Sequence, residues 1–120
     1  MGKIEQFEDI KSWQKARELS KEVYLISDIG NFGKDFSLKD QVRRCSVSIS
    51  SNIAEGYERQ SDKEFARFLY IAKGSCGELR SQIYLALDLN YISIKQAGKL
   101  QSQAIEISKM ISGLIKYLKN

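Results

Sequence analysis

Apolar residues recur along the chain in alternating steps of three and four, the interval at which side chains line one face of an α-helix. Ile10, Trp13, Ala16, Leu19, Val23 and Ile26 mark a first helix over roughly residues 9–28. Leu38, Val42, Cys45, Ile49 and Ile53 mark a second over 37–56. Phe65, Leu69, Ala72, Cys76, Leu79, Ile83 and Ala86 mark a third over 61–89, and Ala97, Leu100, Ala104, Ile107, Ile111, Leu114 and Leu118 a fourth over 93–119. Ser37-Leu38-Lys39-Asp40, Ser61-Asp62-Lys63-Glu64 and Ser93-Ile94-Lys95-Gln96 read as capping boxes that open the last three helices, the first with Asp in place of Glu. Gly30 to Phe36 reads as a glycine-containing loop. No stretch shows the period-two alternation of a strand. Short connections make consecutive helices antiparallel neighbours. The pattern therefore predicts one all-α domain over residues 1–120, an up-down-up-down four-helix bundle.

Two of these helices carry a second face. Ala66, Tyr70, Gly74, Gly77, Ser81 and Tyr84 lie opposite the main stripe of the third helix and include no charge. The second helix is uncharged on every side from Cys45 to Ala54, a stretch that includes Val47. About half of each helix in a solitary bundle faces water and ordinarily carries Lys or Glu. These positions predict a homo-oligomer whose contact uses Val47, Ala54, Ala66, Tyr70, Gly74, Gly77, Ser81 and Tyr84. Each mid-helix glycine costs roughly 1 kcal/mol relative to Ala, a cost that close approach of another backbone would offset. The competing reading is a monomer with serine-rich faces turned to solvent.

Composition narrows the chemistry. Among 120 residues there is no histidine and no proline. Lacking histidine, the chain cannot build the usual Ser-His-Asp hydrolase or a Glu-x-x-His di-metal bundle, and Cys45 and Cys76 have no histidine base. Both cysteines fall on core stripes and no CxxC pair occurs. The expectation is a non-enzymatic protein with no cofactor and no metal. The longest uncharged stretch is too short to cross a bilayer, and no secretory signal pattern opens the sequence, which predicts a cytoplasmic setting.

The formal charge of +4 sits wholly in residues 91–120, where Lys95, Lys99, Lys109, Lys116 and Lys119 stand against Glu106 alone. Lys95, Lys99, Lys109 and Lys116 share about 100° of the fourth helix, opposite its apolar stripe, with Glu106 weakening the strip locally. Lys73 and Arg80 on the third helix extend it. A localised basic strip points to RNA or DNA, and without a base-stacking sequence motif or a glycine-rich phosphate loop the contact would be to backbone. A solvated, solubilising face is the alternative.

Gln41-Val42-Arg43-Arg44-Cys45-Ser46-Val47-Ser48-Ile49 followed by Ser51-Asn52-Ile53-Ala54-Glu55-Gly56 resembles the motif of the 23S ribosomal RNA intervening-sequence proteins. Trp13-Gln14-Lys15-Ala16, Ala72-Lys73-Gly74-Ser75 and Glu78-Leu79 resemble it too, so the similarity spans nearly the whole chain. Where that family often has a proline before the second helix, this chain has Asn31-Phe32-Gly33. The resemblance implies a four-helix bundle assembled as a ring-like homopentamer with no catalytic residues. Some members are encoded within insertions of the large ribosomal RNA gene. A related branch, the accessory proteins of diversity-generating retroelements, binds a reverse transcriptase and nucleic acid. Within the motif, Arg44, Asn52 and Glu55 read as a structural polar set that fixes register, with Arg44 pairing to a carboxylate such as Glu78; the alternative is a phosphate contact from Arg43 or Arg44. Three functions follow as expectations: backbone binding of nucleic acid, a scaffold that docks a partner such as a reverse transcriptase, or a passenger protein of an intervening sequence.

Overall fold

The computed structural model describes residues 3–119. After a short 3-10 turn, Phe7–Asp9, the chain forms α1 (Lys11–Ile26), α2 (Gly30–Lys34), α3 (Phe36–Glu58), α4 (Asp62–Asp88) and α5 (Ile94–Lys119), with no strand among the described residues. The four apolar stripes become the four long helices because each stripe is the buried side. Leu19, Ile49, Ile53, Leu69, Leu79, Ile107 and Ile111 are fully enclosed. Each such side chain contributes about 1.5–3 kcal/mol of burial.

The helix starts show which capping signals the chain uses. Asp35, not Ser37, caps α3: its Oδ1 accepts the Leu38 N–H at 3.1 Å, so the helix begins at Phe36 and the Ser37 box is not the start. Ser61 caps α4 by accepting the Glu64 N–H at 3.2 Å. Only half of that box forms, because the Glu64 carboxylate turns to Arg67 at 3.0 Å and Arg59 at 3.6 Å. The Ser93 box closes in both directions, with Ser93 Oγ accepting the Gln96 N–H at 3.0 Å and Gln96 Oε1 accepting the Ser93 N–H at 2.8 Å.

The expected loop after α1 holds a helical turn, α2. Gly30 turns the chain with φ of +55°, a conformation that favours glycine. Phe32 is buried and stacks on Tyr91 at 5.3 Å. A five-residue turn carries no periodic stripe, so nothing in the spacing could announce it.

The long helices pack around a square in chain order, α1 on α3, α3 on α4, α4 on α5 and α5 on α1. They are antiparallel. Tyr57 near the end of α3 stacks on Phe65 near the start of α4. Arg80 meets Gln101 and Lys73 meets Ser108 across α4 and α5, while Glu22 meets Lys99 and Lys15 meets Glu106 across α1 and α5. The result is a rod of 45 × 22 × 19 Å.

Candidate nucleic-acid interface

With the stripe of α5 turned inward, its lysines are left outside. Lys95, Lys109 and Lys116 are exposed, and among the described residues none has a carboxylate within 4 Å. Lys99 does not stay with them. Its Nζ lies 2.6 Å from Glu22 Oε1 on α1, and that ammonium holds the Glu22 carboxyl below the usual carboxylate range. The reverse holds for Glu106, which the spacing placed inside the strip as a weakening charge: Lys15 of α1 pairs with it at 3.4 Å.

On the other side of α5 the cations meet neutral acceptors. Lys73 Nζ donates to Ser108 Oγ at 3.0 Å. Arg80 Nε donates to Gln101 Oε1 at 3.1 Å, and Gln101 Nε2 returns a bond to the Arg80 carbonyl at 3.0 Å. Lys119 Nζ donates to the Tyr70 hydroxyl at 3.0 Å and lies 5.1 Å from the ring centroid. Bonds of this kind position a cation without cancelling its charge. Lys119, off the predicted arc, thus joins Lys73 and Arg80 across a seam that no sequence spacing reveals.

The predicted subunit face separates into parts. Ala66 does not belong to it: the residue is buried, sharing its surroundings with Leu118 and Lys119 because the last turn of α5 covers the first turns of α4. Val47 is exposed and Ala54 half-buried on α3. Gly74, Gly77 and Ser81 are exposed on α4, and a Cβ added at either glycine would meet nothing within 4 Å, so the chain itself makes no close crossing there. Tyr70 and Tyr84 are exposed on the side of α4 that borders α5.

Arg44, Asn52 and Glu55 are not brought together as one group. Arg44 pairs with Asp40 at 2.8 Å, within its own helix, and not with Glu78. Glu55 pairs with Arg59 at 2.9 Å. Asn52 Nδ2 donates to the Ser48 carbonyl at 2.7 Å and to Ser48 Oγ at 3.0 Å. From this group's surroundings, Ser48 Oγ reaches the next helix, at 2.9 Å from Ser75 Oγ. Arg43 has a structural task that its position did not disclose. It donates to Ser27 Oγ at 2.9 Å and to the Tyr24 carbonyl at 3.0 Å and lies over the Tyr24 ring at 4.5 Å, fastening the end of α1 to α3.

The cysteines sit in the core. Cys45 Sγ donates to the Ser75 carbonyl at 3.1 Å. Burial, with Glu78 nearby, pushes its thiol up to about 12, and burial pushes Cys76 up to about 11. Neither supplies a thiolate near neutral pH. Among the described residues no three Cys, Asp or Glu converge as a metal-ligand group, and no helix is long and apolar enough to cross a membrane.

Fold and surface together define a helical-bundle protein whose α4–α5 flank carries cations with no carboxylate partner among the described residues. Residues 8–113 match the family model described as 23S rRNA-intervening sequence protein, and the chain belongs to that family. It is similar to a crystal structure of a protein with unknown function from the S23 ribosomal protein family of Bacteroides thetaiotaomicron VPI-5482. The two are 28% identical with a TM-score of 0.80, over 88% of this chain and 95% of that one. No curated protein matches the chain.

Proposed function

We propose that this is a non-enzymatic bundle that binds the phosphate backbone of RNA or DNA along its α4–α5 flank, and does so as an assembly of its own copies. One observation carries the reading. Lys73, Arg80, Lys95, Lys109, Lys116 and Lys119 lie on two adjacent helices, and among the described residues none is answered by a carboxylate. Such an array releases counterions when phosphates replace them, which makes binding fall steeply with salt. The uncharged middle of α3, around Val47 and Ala54, and the exposed Gly74 and Ser81 of α4 form the subunit contact. The resemblance implies five copies in a ring, which would multiply the formal +4 fivefold and turn weak contacts into avidity.

Filter binding of a structured RNA between about 50 and 200 mM salt tests the reading. Retention should fall with salt, and replacing Lys109 or Lys116 with Gln should lower the salt slope by about one each. Lys99→Gln should change it less, since Glu22 already holds that charge. Retention that is absent or indifferent to salt overturns the reading. Assembly is checked by light scattering: Gly74→Leu should reduce the native mass, and an unchanged mass removes Gly74 from the contact.

A second reading rests on a different end of the rod. Phe36 and Ile94 are 77% and 81% exposed. Their chain segments are tied together by the Tyr91 hydroxyl, which donates to Asp35 at 2.9 Å. Exposed apolar side chains of this size fit a protein partner such as a reverse transcriptase, the partner that the related branch implies. A pull-down that recovers nucleic acid alone removes this reading.

A further inference from the structure

Tyr70, Lys73, Gly77, Arg80 and Tyr84 follow one another on α4 in steps of three and four. They therefore share one face, about 21 Å long at 1.5 Å per residue. The face borders α5, as the bonds of Lys73 to Ser108, Arg80 to Gln101 and Tyr70 to Lys119 show. Its order is aromatic, cation, glycine, cation, aromatic. Tyr70 and Tyr84 are 50% and 54% exposed. Among the described residues neither ring stacks on another aromatic, Lys119 Nζ lies 5.1 Å from the Tyr70 centroid, and nothing approaches the central Gly77 within 4 Å of an added Cβ. The bundle core uses none of these five residues, and a glycine in mid-helix costs stability that no contact of this chain returns.

A duplex and a single strand would use this face differently. A duplex offers phosphates to Lys73 and Arg80 but keeps its base faces stacked inside, leaving the exposed Tyr84 ring without a role and Tyr70 only its bond to Lys119. A single strand offers both. Its bases can lie flat on aromatic side chains, a contact tolerant of sequence, while a basic groove tracks the phosphates. Gly77, bare between the cations, lets the strand lie against the helix backbone. We propose that the Tyr70–Tyr84 face of α4 binds single-stranded nucleic acid, with bases stacked on the two tyrosines and phosphates held by Lys73 and Arg80. The proposal rests on the nucleic-acid reading above and adds to it the strand state and the stacking residues.

Fluorescence anisotropy decides it, with labelled oligo-dT and oligo-U of about twelve nucleotides, inside the range of ~4–16 per binding unit, and a duplex of the same length. RNA and DNA share the chemistry invoked, so the two single strands report any preference between them. Both rings point to solvent, so their variants should fold, as circular dichroism can verify. Tyr70→Ala and Tyr84→Ala should each weaken single-strand binding by about five- to one-hundred-fold. Tyr84→Phe, which keeps the ring, should bind like the parent, and duplex binding should be indifferent to both Tyr84 variants; Tyr70→Ala also frees Lys119 from its hydroxyl partner and is read on the single strand alone. Single-strand binding unchanged by both alanine variants overturns the stacking proposal while leaving backbone binding intact. No binding of any probe at low salt overturns both. An altered native mass in Tyr70→Ala or Tyr84→Ala makes this face a contact between copies and overturns the proposal as well.

Discussion

Gly56→Ala should destabilise the protein, against the ordinary rule for a glycine inside a helix. That rule predicts a gain of about 1 kcal/mol, since alanine is the better helix former. Gly56 is buried where α3 ends and the chain turns back into α4. An added Cβ would lie 2.6 Å from Phe68 Cβ, 3.1 Å from Phe65 Cδ1 and 3.3 Å from the Phe65 carbonyl oxygen. The first distance falls short of carbon–carbon contact by roughly 1 Å. Phe68 Cβ is anchored to backbone and cannot swing aside. Its ring is held between Arg59 at 4.8 Å and Arg67 at 4.6 Å, and the Phe65 ring is stacked on Tyr57 at 5.8 Å. Relief therefore requires the α3–α4 corner to open. Overpacking costs about 1–3 kcal/mol, and a clash with anchored atoms belongs at the upper end of that range, leaving a net loss of about 1–2 kcal/mol. Gly113→Ala is the matched control: it lies in mid-α5 with nothing within 4 Å of an added Cβ and should gain up to about 1 kcal/mol. Urea unfolding followed by circular dichroism, at one protein concentration for all variants, reads both. A Gly56→Ala midpoint equal to or above the parent's refutes the argument.

Three other outcomes follow from the geometry. Cys45 and Cys76, with thiols pushed up to about 12 and about 11, should resist iodoacetamide at pH 8 in the folded protein and react once guanidinium unfolds it; prompt labelling of the native state contradicts their burial. Hydrogen bonds from Lys99 lower the Glu22 carboxyl, and those from the Leu38 N–H and then the Tyr91 hydroxyl lower Asp35. Their contribution is therefore present above the unfolded carboxylate range near pH 4 and is lost as pH falls through the lower folded values. The acid limb of thermal stability should accordingly flatten in Glu22→Gln and Asp35→Asn, and limbs that superimpose on the parent's exclude these pairings. Finally, Gln101→Glu with Ser108→Asp gives Arg80 and Lys73 carboxylate partners, removing two units from the formal +4 without touching a lysine. Nucleic-acid retention should drop sharply at unchanged fold, and undiminished retention shows that the flank is not the binding surface.

The long helices were legible because burial itself imposes the three-four spacing. The start of α3 was not, because Asp35 and Ser37 are both good caps and local sequence cannot rank them. Gly56 stood inside a recognisable run, yet its reason, the nearness of Phe68, arises only when α4 folds back on α3. Ala66 illustrates the converse. Its angle on α4 put it on the outer face correctly for an isolated helix, and the length of α5 then buried it. The basic arc was readable as an arc, but which of its members keep an unanswered charge depends on residues as far away as Glu22 is from Lys99.

That dependence explains why charges are paired along one seam of α5 and not along the other. Along the seam with α1, Lys99 faces Glu22 and Glu106 faces Lys15, so each charge on α5 meets its opposite and the seam is neutral. Along the seam with α4, Ser108 and Gln101 face Lys73 and Arg80, so α5 supplies oxygen acceptors and no carboxylate. A bundle needing only stability could have used ion pairs on both sides. Exposed pairs are worth at most about 1 kcal/mol, so exchanging them for hydroxyl and amide acceptors costs the fold little while leaving a field that reaches about 8 Å into solvent at physiological salt. Of the cations on α5, Lys99 is thus neutralised at the α1 seam, Lys119 is held at the α4 seam by the Tyr70 hydroxyl, and Lys95, Lys109 and Lys116 are left exposed. A count of lysines along the helix could not have distinguished that arrangement from a uniformly charged surface.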